Sequence, residues 1–490
     1  MKIKSFLLML PLLLLSTVFF QTRVRAQDVP FFTTDFPPAE FADRRAKVYD
    51  ALGENGLALI QGAASPAGYT RFRQTNEFYY LSGIESPHAY LLLDGRLRRA
   101  FVYLPHRNEA RERGEGKVLS AEDAELVKKL SGIDNVFAPE TLSEHLANFA
   151  RSGREMKIFM PFSPPEGFAV SRDSAARMNA DIFSDPWDGM ASREGNFINL
   201  VKTRFPQFEV RDLTPVLDRL RLIKSPREIA LIKKATRLSG LSLMEAMRST
   251  VPGIQESELD AVAKYIYYRN GAQGDAYYSL IASGSNAWYP HYNAGKRTMR
   301  DGDFLLMDYA PDVAYYMSDV TRMFPVNGKF SNWQRELYGF YLECYKAILK
   351  NIKPGLTAQQ VKQAAVPEMN QALAKARFSK PIYEKAARSF VENYANSAKN
   401  PTTSLGHWIG MATHDVGGSD GRPLREGMVF SIEPALRVEE EKIYIRLEDV
   451  IVITAAGADI LTTFVPMEID EIEKLMREEG MLQRYPKEAN

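Results

Sequence analysis

The chain has 490 residues, 45% of them hydrophobic and 25% charged, which is the composition of a soluble globular protein with more than one domain. Its 62 basic and 61 acidic residues leave a formal net charge of +1. This balance gives no electrostatic case for a nucleic-acid partner or an anionic membrane surface. The single cysteine, Cys344, has no partner for an internal disulfide, and its aromatic, helix-like surroundings predict a buried structural thiol.

The first 26 residues have the pattern of a secretory signal peptide. Lys2 and Lys4 precede a leucine-rich apolar run at residues 6–20, and a polar stretch ends at Ala26. The apolar run is shorter than the roughly 20 residues that span a bilayer, which favours cleavage over the alternative of an uncleaved membrane anchor. We therefore expect export to the periplasm or the extracellular space, with no stable membrane anchor after cleavage.

The following residues, 30–211, mix short apolar strands with helical segments. Strands are predicted at residues 56–61, 89–93, 99–104 and 156–160, and a helix at 121–129. The histidines of this part, His88, His106 and His145, are scattered and form no cluster of ligand-type residues. We predict an α/β domain over residues 27–215.

A helical bridge at residues 213–224 leads into a strong helix start. In the segment Ser225-Pro226-Arg227-Glu228, the serine can cap a helix, proline suits the first helical position and the glutamate completes a capping box. The domain boundary is placed near this bridge, so that the second domain covers residues 216–490.

The second domain opens with two amphipathic helices, at residues 227–248 and 255–270, and then becomes rich in strands. Strands at 303–310 and 315–324 are expected to form a hairpin with Pro311-Asp312 as its turn. Helices follow at 332–352 and 357–376, and a second strand pair at 428–436 and 443–454. This order predicts two similar α/β halves around one site.

Four carboxylates interrupt or end these apolar strands: Asp308 and Asp319 in the first pair, Glu433 and Glu448 in the second. A buried carboxylate is costly without a partner, and neighbouring carboxylates repel each other unless a cation lies between them. Two divalent cations would neutralise a charge of about −4 in one cavity, which favours a two-metal site over a single ion. The alternative is four unrelated acids, each paired with a surface lysine or arginine.

Two histidines lie in a glycine-rich segment between the strand pairs. The glycines around His407 and His414 favour a loop or strand over a helix, since they allow the backbone to approach a ligand closely. One imidazole with four carboxylates is an oxygen-rich ligand set that suits Mn²⁺, with Co²⁺ or Zn²⁺ as alternatives. A third candidate, His291, lies in an aromatic segment just before the first strand pair.

Six motifs, in this order, resemble those of the pita-bread metallopeptidases, and among them the Xaa-Pro aminopeptidases (aminopeptidase P). Residues 73–83 and 220–226 are also similar to that family, so the resemblance covers nearly all of the mature chain. It implies an α/β (α+β) fold with an N-terminal creatinase-type α/β domain and a C-terminal pita-bread catalytic domain. The motifs are Asp308-Tyr309-Ala310, Ser318-Asp319-Val320-Thr321-Arg322, Gly406-His407-Trp408-Ile409-Gly410, His414-Asp415-Val416-Gly417, Ser431-Ile432-Glu433-Pro434 and Ile445-Arg446-Leu447-Glu448-Asp449.

The resemblance implies a ligand role for each of five residues. Asp308 would chelate one metal ion, Asp319 and Glu448 would bridge two ions, and His407 and Glu433 would complete the coordination shells. A water between the two ions would act as the nucleophile.

The resemblance also implies the residues that act on the substrate. Glu433 would accept the proton of the water and pass it to the departing amine. His291 and His414 would contact the scissile amide and stabilise the oxyanion, while Arg446 would pair with a ligand carboxylate and face the substrate.

The implied reaction removes the N-terminal residue of a peptide with proline at the second position. Thr403 departs from the family pattern, because members with prolyl specificity usually carry a histidine four residues before the metal-binding one. Two alternatives therefore stay open: a prolidase acting on Xaa-Pro dipeptides, or a metal-binding protein on the same scaffold with reduced or lost activity. The metal-free creatinase branch is disfavoured by the five intact ligands, and a homo-oligomer, dimer or tetramer, is expected from the family.

Overall fold

The computed structural model describes residues 34–152 and 155–485, so the predicted signal peptide lies outside the described residues. Within these residues no helix is both long enough and apolar enough to cross a membrane. The helices are α1 (Pro38–Leu52), α2 (Asn76–Ser82), α3 (Glu109–Glu115), α4 (Ala124–Ser131), α5 (Leu142–Ala150), α6 (Arg172–Ser184), α7 (Arg193–Arg204), α8 (Thr214–Leu222), α9 (Pro226–Ser249), α10 (Glu256–Arg269), α11 (Asn332–Asn351), α12 (Ala358–Lys375), α13 (Pro381–Ser397), α14 (Ile469–Leu475) and α15 (Met481–Arg484). The strands are β1 (Gly56–Gln61), β2 (Tyr90–Asp94), β3 (Arg99–Tyr103), β4 (Asn135–Phe137), β5 (Lys157–Met160), β6 (Glu209–Asp212), β7 (Gly274–Asp275), β8 (Leu280–Ser283), β9 (Phe304–Asp308), β10 (Pro311–Asp312), β11 (Thr321–Pro325), β12 (Val429–Ile432), β13 (Ala435–Val438), β14 (Ile443–Arg446), β15 (Asp449–Ile453) and β16 (Ala458–Ile460).

The N-terminal half is built on a six-stranded mixed sheet in the order β4-β3-β2-β1-β5-β6. All four strands predicted in this half are confirmed, and their observed ends differ from the predicted ones by at most one residue. Successive side chains of a strand point to opposite faces, and β1 separates two cores in this way. Leu57 and Leu59 enter one hydrophobic cluster, whereas Ala58 and Ile60 enter the larger cluster that continues into the C-terminal half. Helices therefore cover both faces of this sheet.

The segment between the two halves is a short helix followed by a capped long helix. The boundary predicted between residues 215 and 216 lies inside α8. At the start of α9 the Ser225 hydroxyl accepts a hydrogen bond from the Glu228 backbone, and the Glu228 carboxylate accepts one from the Ser225 backbone. Pro226 occupies the first helical turn, where its missing N–H costs nothing. The predicted capping box is confirmed.

The first strand pair of the C-terminal half differs from its prediction. Pro311-Asp312 is not a turn but the short strand β10, which pairs with β7. The chain reverses after it, where Ala314 and Tyr315 have positive φ angles of 51° and 75°. The strand predicted at 315–324 is therefore wrong in its first half, because β11 begins only at Thr321.

Each strand of the second predicted pair is broken in two at its glutamate. Glu433 and Pro434 separate β12 from β13, since a proline has no N–H to donate to a sheet ladder. Leu447 and Glu448 separate β14 from β15. Both carboxylates thus lie at interruptions of the hydrogen-bonded ladder rather than inside a regular strand.

Two three-stranded sheets, β11-β9-β8 and β12-β15-β16, meet beside these interruptions, and α11, α12 and α13 lie between them in sequence. Thr321 at the start of β11 forms an isolated antiparallel bridge with Glu448, through two backbone hydrogen bonds of 3.1 and 3.3 Å. This bridge brings the acids of the first strand pair to those of the second. The two strand pairs therefore lie around one site, as predicted, whereas the similarity of the two α/β halves stays a prediction.

Candidate active site

Each predicted metal ligand lies at the end of a strand or outside the strands. At such positions side chains need not alternate between the two faces of a sheet. Asp308 ends β9, Asp319 lies two residues before β11, Glu433 follows β12, Glu448 joins β14 to β15, and His407 lies between α13 and β12.

The five side chains converge on one place. His407 Nε2 lies 3.4 Å from Asp319 Oδ2, 3.5 Å from Glu433 Oε1 and 3.6 Å from Glu448 Oε1. Asp308, Asp319 and Glu448 form a further group whose ligand atoms all lie within 4.8 Å of one another. Asp319 and Glu448 thus contact ligand atoms on both sides, which is the position that bridging carboxylates need.

The charges of this group make it unfavourable without a cation. Burial raises the pKa of Asp319 well above its usual range, and the negative charges of Glu448 and Asp308 add to the effect. Burial lowers the pKa of His407, but the Asp319 and Glu448 carboxylates beside its Nε2 outweigh burial, so that this pKa lies well above its ordinary value. The carboxylates therefore attract positive charge from whatever group can supply it.

The residues fit divalent cations. Asp308, Asp319 and Glu448 are buried, and Glu448 Oε1 is a buried oxygen without a hydrogen-bond partner among the described residues. A buried carboxylate oxygen without a donor is costly unless a cation binds it. Four carboxylates and one imidazole form the oxygen-rich donor set expected of Mn²⁺, Co²⁺ or Zn²⁺ rather than of a structural zinc site.

Arg446 closes one side of the ligand group. Its Nη1 donates to Glu433 Oε2 at 2.8 Å, and its Nη2 donates to Asp308 Oδ2 and, at 3.1 Å, to Thr321 Oγ1. The guanidinium is buried, at 4% side-chain exposure. Arg446 therefore holds two of the predicted ligands in place, as the sequence predicted for at least one of them.

His414 lies against His407, with ring centroids 4.3 Å apart. Its Nδ1 is 2.9 Å from Asp173 Oδ2, and its backbone N–H donates to Ser171 Oγ at 3.2 Å. Both partners come from the segment around the start of α6 in the N-terminal half. The ring is half-exposed, and one of its nitrogens lies within 4.8 Å of ligand atoms of Asp319 and His407.

His291 lies in the turn after a 3-10 helix, Gly284–Trp288. Burial lowers its pKa, the charge of Arg446 lowers it further, and Asp308 opposes both. None of the described side chains hydrogen-bonds to this ring. Of the three predicted substrate-contacting residues, His414 and Arg446 therefore contact the ligands directly, whereas His291 is linked to them only by the charges that act on it.

Two family models match the chain. The one described as Metallopeptidase family M24 covers residues 230–455, and the one described as Aminopeptidase P, N-terminal domain, covers residues 41–159. The Xaa-Pro aminopeptidase of Haemophilus influenzae is 31% identical over 468 residues, covering 91% of this chain and 99% of that protein. The chain belongs to metallopeptidase family M24.

Solved structures of aminopeptidase P have the same two-domain fold as this member of the family. The Pseudomonas aeruginosa aminopeptidase PepP superposes with a TM-score of 0.73 at 26% identity, covering 91% of this chain and 99% of that one. The Escherichia coli aminopeptidase P with the inhibitor Pro-Leu superposes with a TM-score of 0.72 at 28% identity, covering 90% and 98%. The pita-bread resemblance drawn from six motifs is confirmed, and so is the fold class.

Sequence reasoning missed several residues of this metallopeptidase site. The Tyr277 hydroxyl lies 2.6 Å from Asp308 Oδ1 and 2.6 Å from Asp319 Oδ1, and the Thr321 hydroxyl donates to Glu448 Oε2 at 2.9 Å. Thr321 lies two residues after Asp319, where alternation along an extended chain puts both on one face. Tyr277 and Asp173 gave no such local signal, because their contacts are 31 or more residues away in sequence.

The remaining candidates behave as predicted for structural residues. His88 lies 3.2 Å from Ser65 Oγ, His106 bonds Glu122, and His145 bonds the Tyr103 hydroxyl. Cys344 is fully buried in α11, and burial raises the pKa of its thiol to about 12.

Proposed function

We propose that this metallopeptidase is a dinuclear metal-dependent aminopeptidase that removes the N-terminal residue of peptides with proline at the second position. The observation that carries the proposal is the convergence of Asp308, Asp319, His407, Glu433 and Glu448. Glu448 belongs to two groups of close ligand atoms, one with Asp308 and Asp319 and one with His407 and Glu433, and Asp319 also lies close to His407 and His414. The similarity to proteins named Xaa-Pro aminopeptidase, over nine-tenths of the chain, supports the substrate class.

Divalent cations in this group would acidify a water molecule and polarise the scissile carbonyl. The protein supplies the proton acceptor. The Glu433 side chain is 29% exposed, against 1% for Glu448, so its carboxylate faces the solvent side of the site. We assign Glu433 to accept a proton from the attacking water and to deliver it to the amine that leaves.

The rim of the site supplies hydrogen-bond donors for the substrate. His414 directs its Nδ1 to Asp173, and the charges of Arg446 and Asp308 act on His291. We assign both imidazoles to the scissile amide, where they stabilise the developing oxyanion; His414 can do so only as the imidazolium, in which Nε2 also carries a proton. Arg446 keeps Glu433 and Asp308 apart and adds positive charge at the substrate side.

Three further properties belong to the same proposal. Mn²⁺ is the expected metal, with Co²⁺ or Zn²⁺ as alternatives. Export after cleavage of residues 1–26 is supported by their charged, apolar and polar regions, and N-terminal sequencing of the mature protein tests it. A homodimer or homotetramer is expected by analogy with the family, and light scattering tests it.

The deciding experiment is a peptide panel assayed with Mn²⁺, Co²⁺ and Zn²⁺ added separately. An Xaa-Pro-Yaa tripeptide should be cleaved after Xaa, and a matched Xaa-Ala-Yaa tripeptide should be cleaved far more slowly. Cleavage of an Xaa-Pro dipeptide alone would instead identify a prolidase. A protein that holds two metal ions but cleaves none of these peptides would be a binding protein on the same scaffold.

A further inference from the structure

One buried lysine close to the site has no acidic partner. Lys362 on α12 is 7% exposed, and its Nζ donates to the Ser397 hydroxyl at 2.6 Å and to the Thr403 hydroxyl at 2.8 Å. The other buried lysine of the described residues, Lys224, lies 3.0 Å from Asp415 Oδ2. No described carboxylate lies within ion-pair distance of Lys362, and burial lowers its pKa to about 8. Its positive charge is therefore offset only by the Tyr394 ring, whose centroid lies 5.1 Å from Nζ, and by no anion of the described residues.

The hydrogen-bond donors around Lys362 outnumber the acceptors. An ammonium has three N–H groups and a hydroxyl has one O–H, whereas each hydroxyl oxygen can accept. Two ammonium protons use the two hydroxyl oxygens, and Ser397 Oγ lies 2.8 Å from Thr403 Oγ1, so one hydroxyl donates to the other. The other hydroxyl proton has no acceptor among the described residues. An anionic acceptor would complete this cluster.

Thr403 gives the cluster access to a pocket. Its side chain is 9% exposed, and it forms part of the wall of a small pocket together with Gly406, Trp408 and Phe430. Gly406 directly precedes the metal ligand His407, and Thr403 lies four residues before it. Four residues span at most about 14 Å, and two or three residues of an extended peptide cover about 7–11 Å. A short peptide cleaved at the metal centre can therefore reach Thr403 with its C-terminus.

We propose that Thr403, supported from behind by Lys362, binds the C-terminal carboxylate of a short peptide substrate. The carboxylate accepts the free hydroxyl proton, and the ammonium supplies positive potential through the hydroxyl that it holds. The apolar wall of Trp408 and Phe430 receives the adjoining side chain. This inference rests on the proposed aminopeptidase function. Such a subsite would make the enzyme selective for tri- and tetrapeptides with a free C-terminus.

The test compares an Xaa-Pro-Yaa tripeptide with its C-terminal amide, which has the same scissile bond. For the wild type we expect KM to be about tenfold lower for the acid, with similar kcat values. Lys362→Met should remove the difference between acid and amide. The matched control, Lys375→Met, changes an exposed lysine of the same helix and should retain the preference.

Thermal unfolding in the presence of each peptide tests the subsite by binding alone, without turnover. The acid should raise the wild-type Tm more than the amide does. If Lys362→Met fails to fold, Thr403→Val removes the hydroxyl while keeping the shape of the side chain.

Equal KM values and equal Tm shifts for the two peptides, or a preference that survives Lys362→Met, would overturn the subsite even where both peptides are cleaved. A Tm shift by sodium acetate without any acid-over-amide preference would overturn it too, as evidence of a small-anion site. Failure to cleave either peptide counts against the proposed function, while the Tm comparison still decides the subsite.

Discussion

Asp319 combines the two effects that make this site require a cation. Its side chain is almost fully buried, and it lies among two other carboxylates, so both desolvation and like charge act against its ionised form. The Tyr277 hydroxyl relieves only part of this, since one O–H can donate to Asp308 or to Asp319 but not to both at once. Cations that contact Asp319 would compensate the charge from both sides.

Asp319→Asn should therefore reduce bound metal and lower kcat/KM by at least about 100-fold, since an amide neither carries the charge nor bridges cations as a carboxylate does. Metal analysis after dialysis and single-substrate kinetics measure the two effects. Asp470→Asn is the control, because that side chain is 94% exposed. Unchanged metal content and rate in Asp319→Asn would contradict the ligand group.

Cys344 should be chemically silent. A pKa of about 12 leaves the thiol protonated at neutral pH, and a protonated buried thiol is neither a nucleophile nor a metal ligand. We expect Cys344→Ser to keep its activity within about twofold, and the folded wild type to react with a thiol reagent only after denaturation. Rapid labelling of the native protein, or a large loss of activity in the serine variant, would show that the thiol has a role.

Secondary-structure elements mark the limit of what local sequence patterns predict in this protein. Four of the six strands of the N-terminal sheet and the capping box at Ser225 were predicted, because alternation, propensity and capping are local properties; the short strands β4 and β6 were not. The strands around the ligands were predicted too long, since the apolar runs continue through Glu433 and Glu448 although the ladder does not. The break after Glu433 has a local cause in Pro434, whereas at Glu448 the backbone forms the bridge with Thr321, which no local pattern contains.

The same limit applies to the site. The five ligands could be predicted because a carboxylate in an apolar strand is conspicuous in one sequence. The contact of Asp173 with His414 joins residues 241 positions apart, and an acid in an ordinary polar helix start gives no sign of it. The element that carries Asp173, α6, was not predicted as part of the site at all.

Asp173→Asn tests whether α6 positions His414. The carboxylate accepts from Nδ1–H and so favours the tautomer in which Nε2 faces outward without a proton, or the imidazolium in which both nitrogens donate. We expect kcat to fall about tenfold with a smaller change in KM, and Asp173→Glu to restore part of the rate.

Asp181→Asn, on the exposed side of the same helix, is the matched control and should behave as wild type. Thermal unfolding should be unchanged in all three variants, since both Asp173 and His414 are about half-exposed and such pairs contribute little to stability. A loss of rate that the glutamate variant does not recover would assign Asp173 to folding rather than to positioning His414.

At the scale of the whole molecule, a buried ionic network joins the N-terminal half to the active site. Arg221 lies 3.3 Å from Glu77, 2.5 Å from Glu166 and 2.6 Å from Asp415, all of them buried. Glu77 and Glu166 belong to the N-terminal half, whereas Asp415 directly follows His414. The guanidinium is therefore the link through which the N-terminal half fixes the backbone that carries His414.

Arg221→Met should destabilise the protein strongly. A buried network gains little over apolar packing as a whole, but removing one partner leaves the remaining charges poorly compensated. Glu166 would keep only Arg172, at 3.4 Å, and Asp415 only Lys224, at 3.0 Å, so we expect the free energy of unfolding to fall by about 3 kcal/mol. Arg219→Met, an exposed position on the same helix, should change it by no more than about 0.5 kcal/mol.

Urea denaturation followed by fluorescence measures this difference, and kinetics below the transition measure its functional consequence. Because Asp415, next to His414, would keep only Lys224 as a cationic partner, kcat should fall in the protein that remains folded, whereas metal content should not change. Equal stability of the Arg221 and Arg219 variants would contradict this prediction. It would mean that the shared hydrophobic core alone holds the two halves together, and that the ionic network adds nothing to their stability.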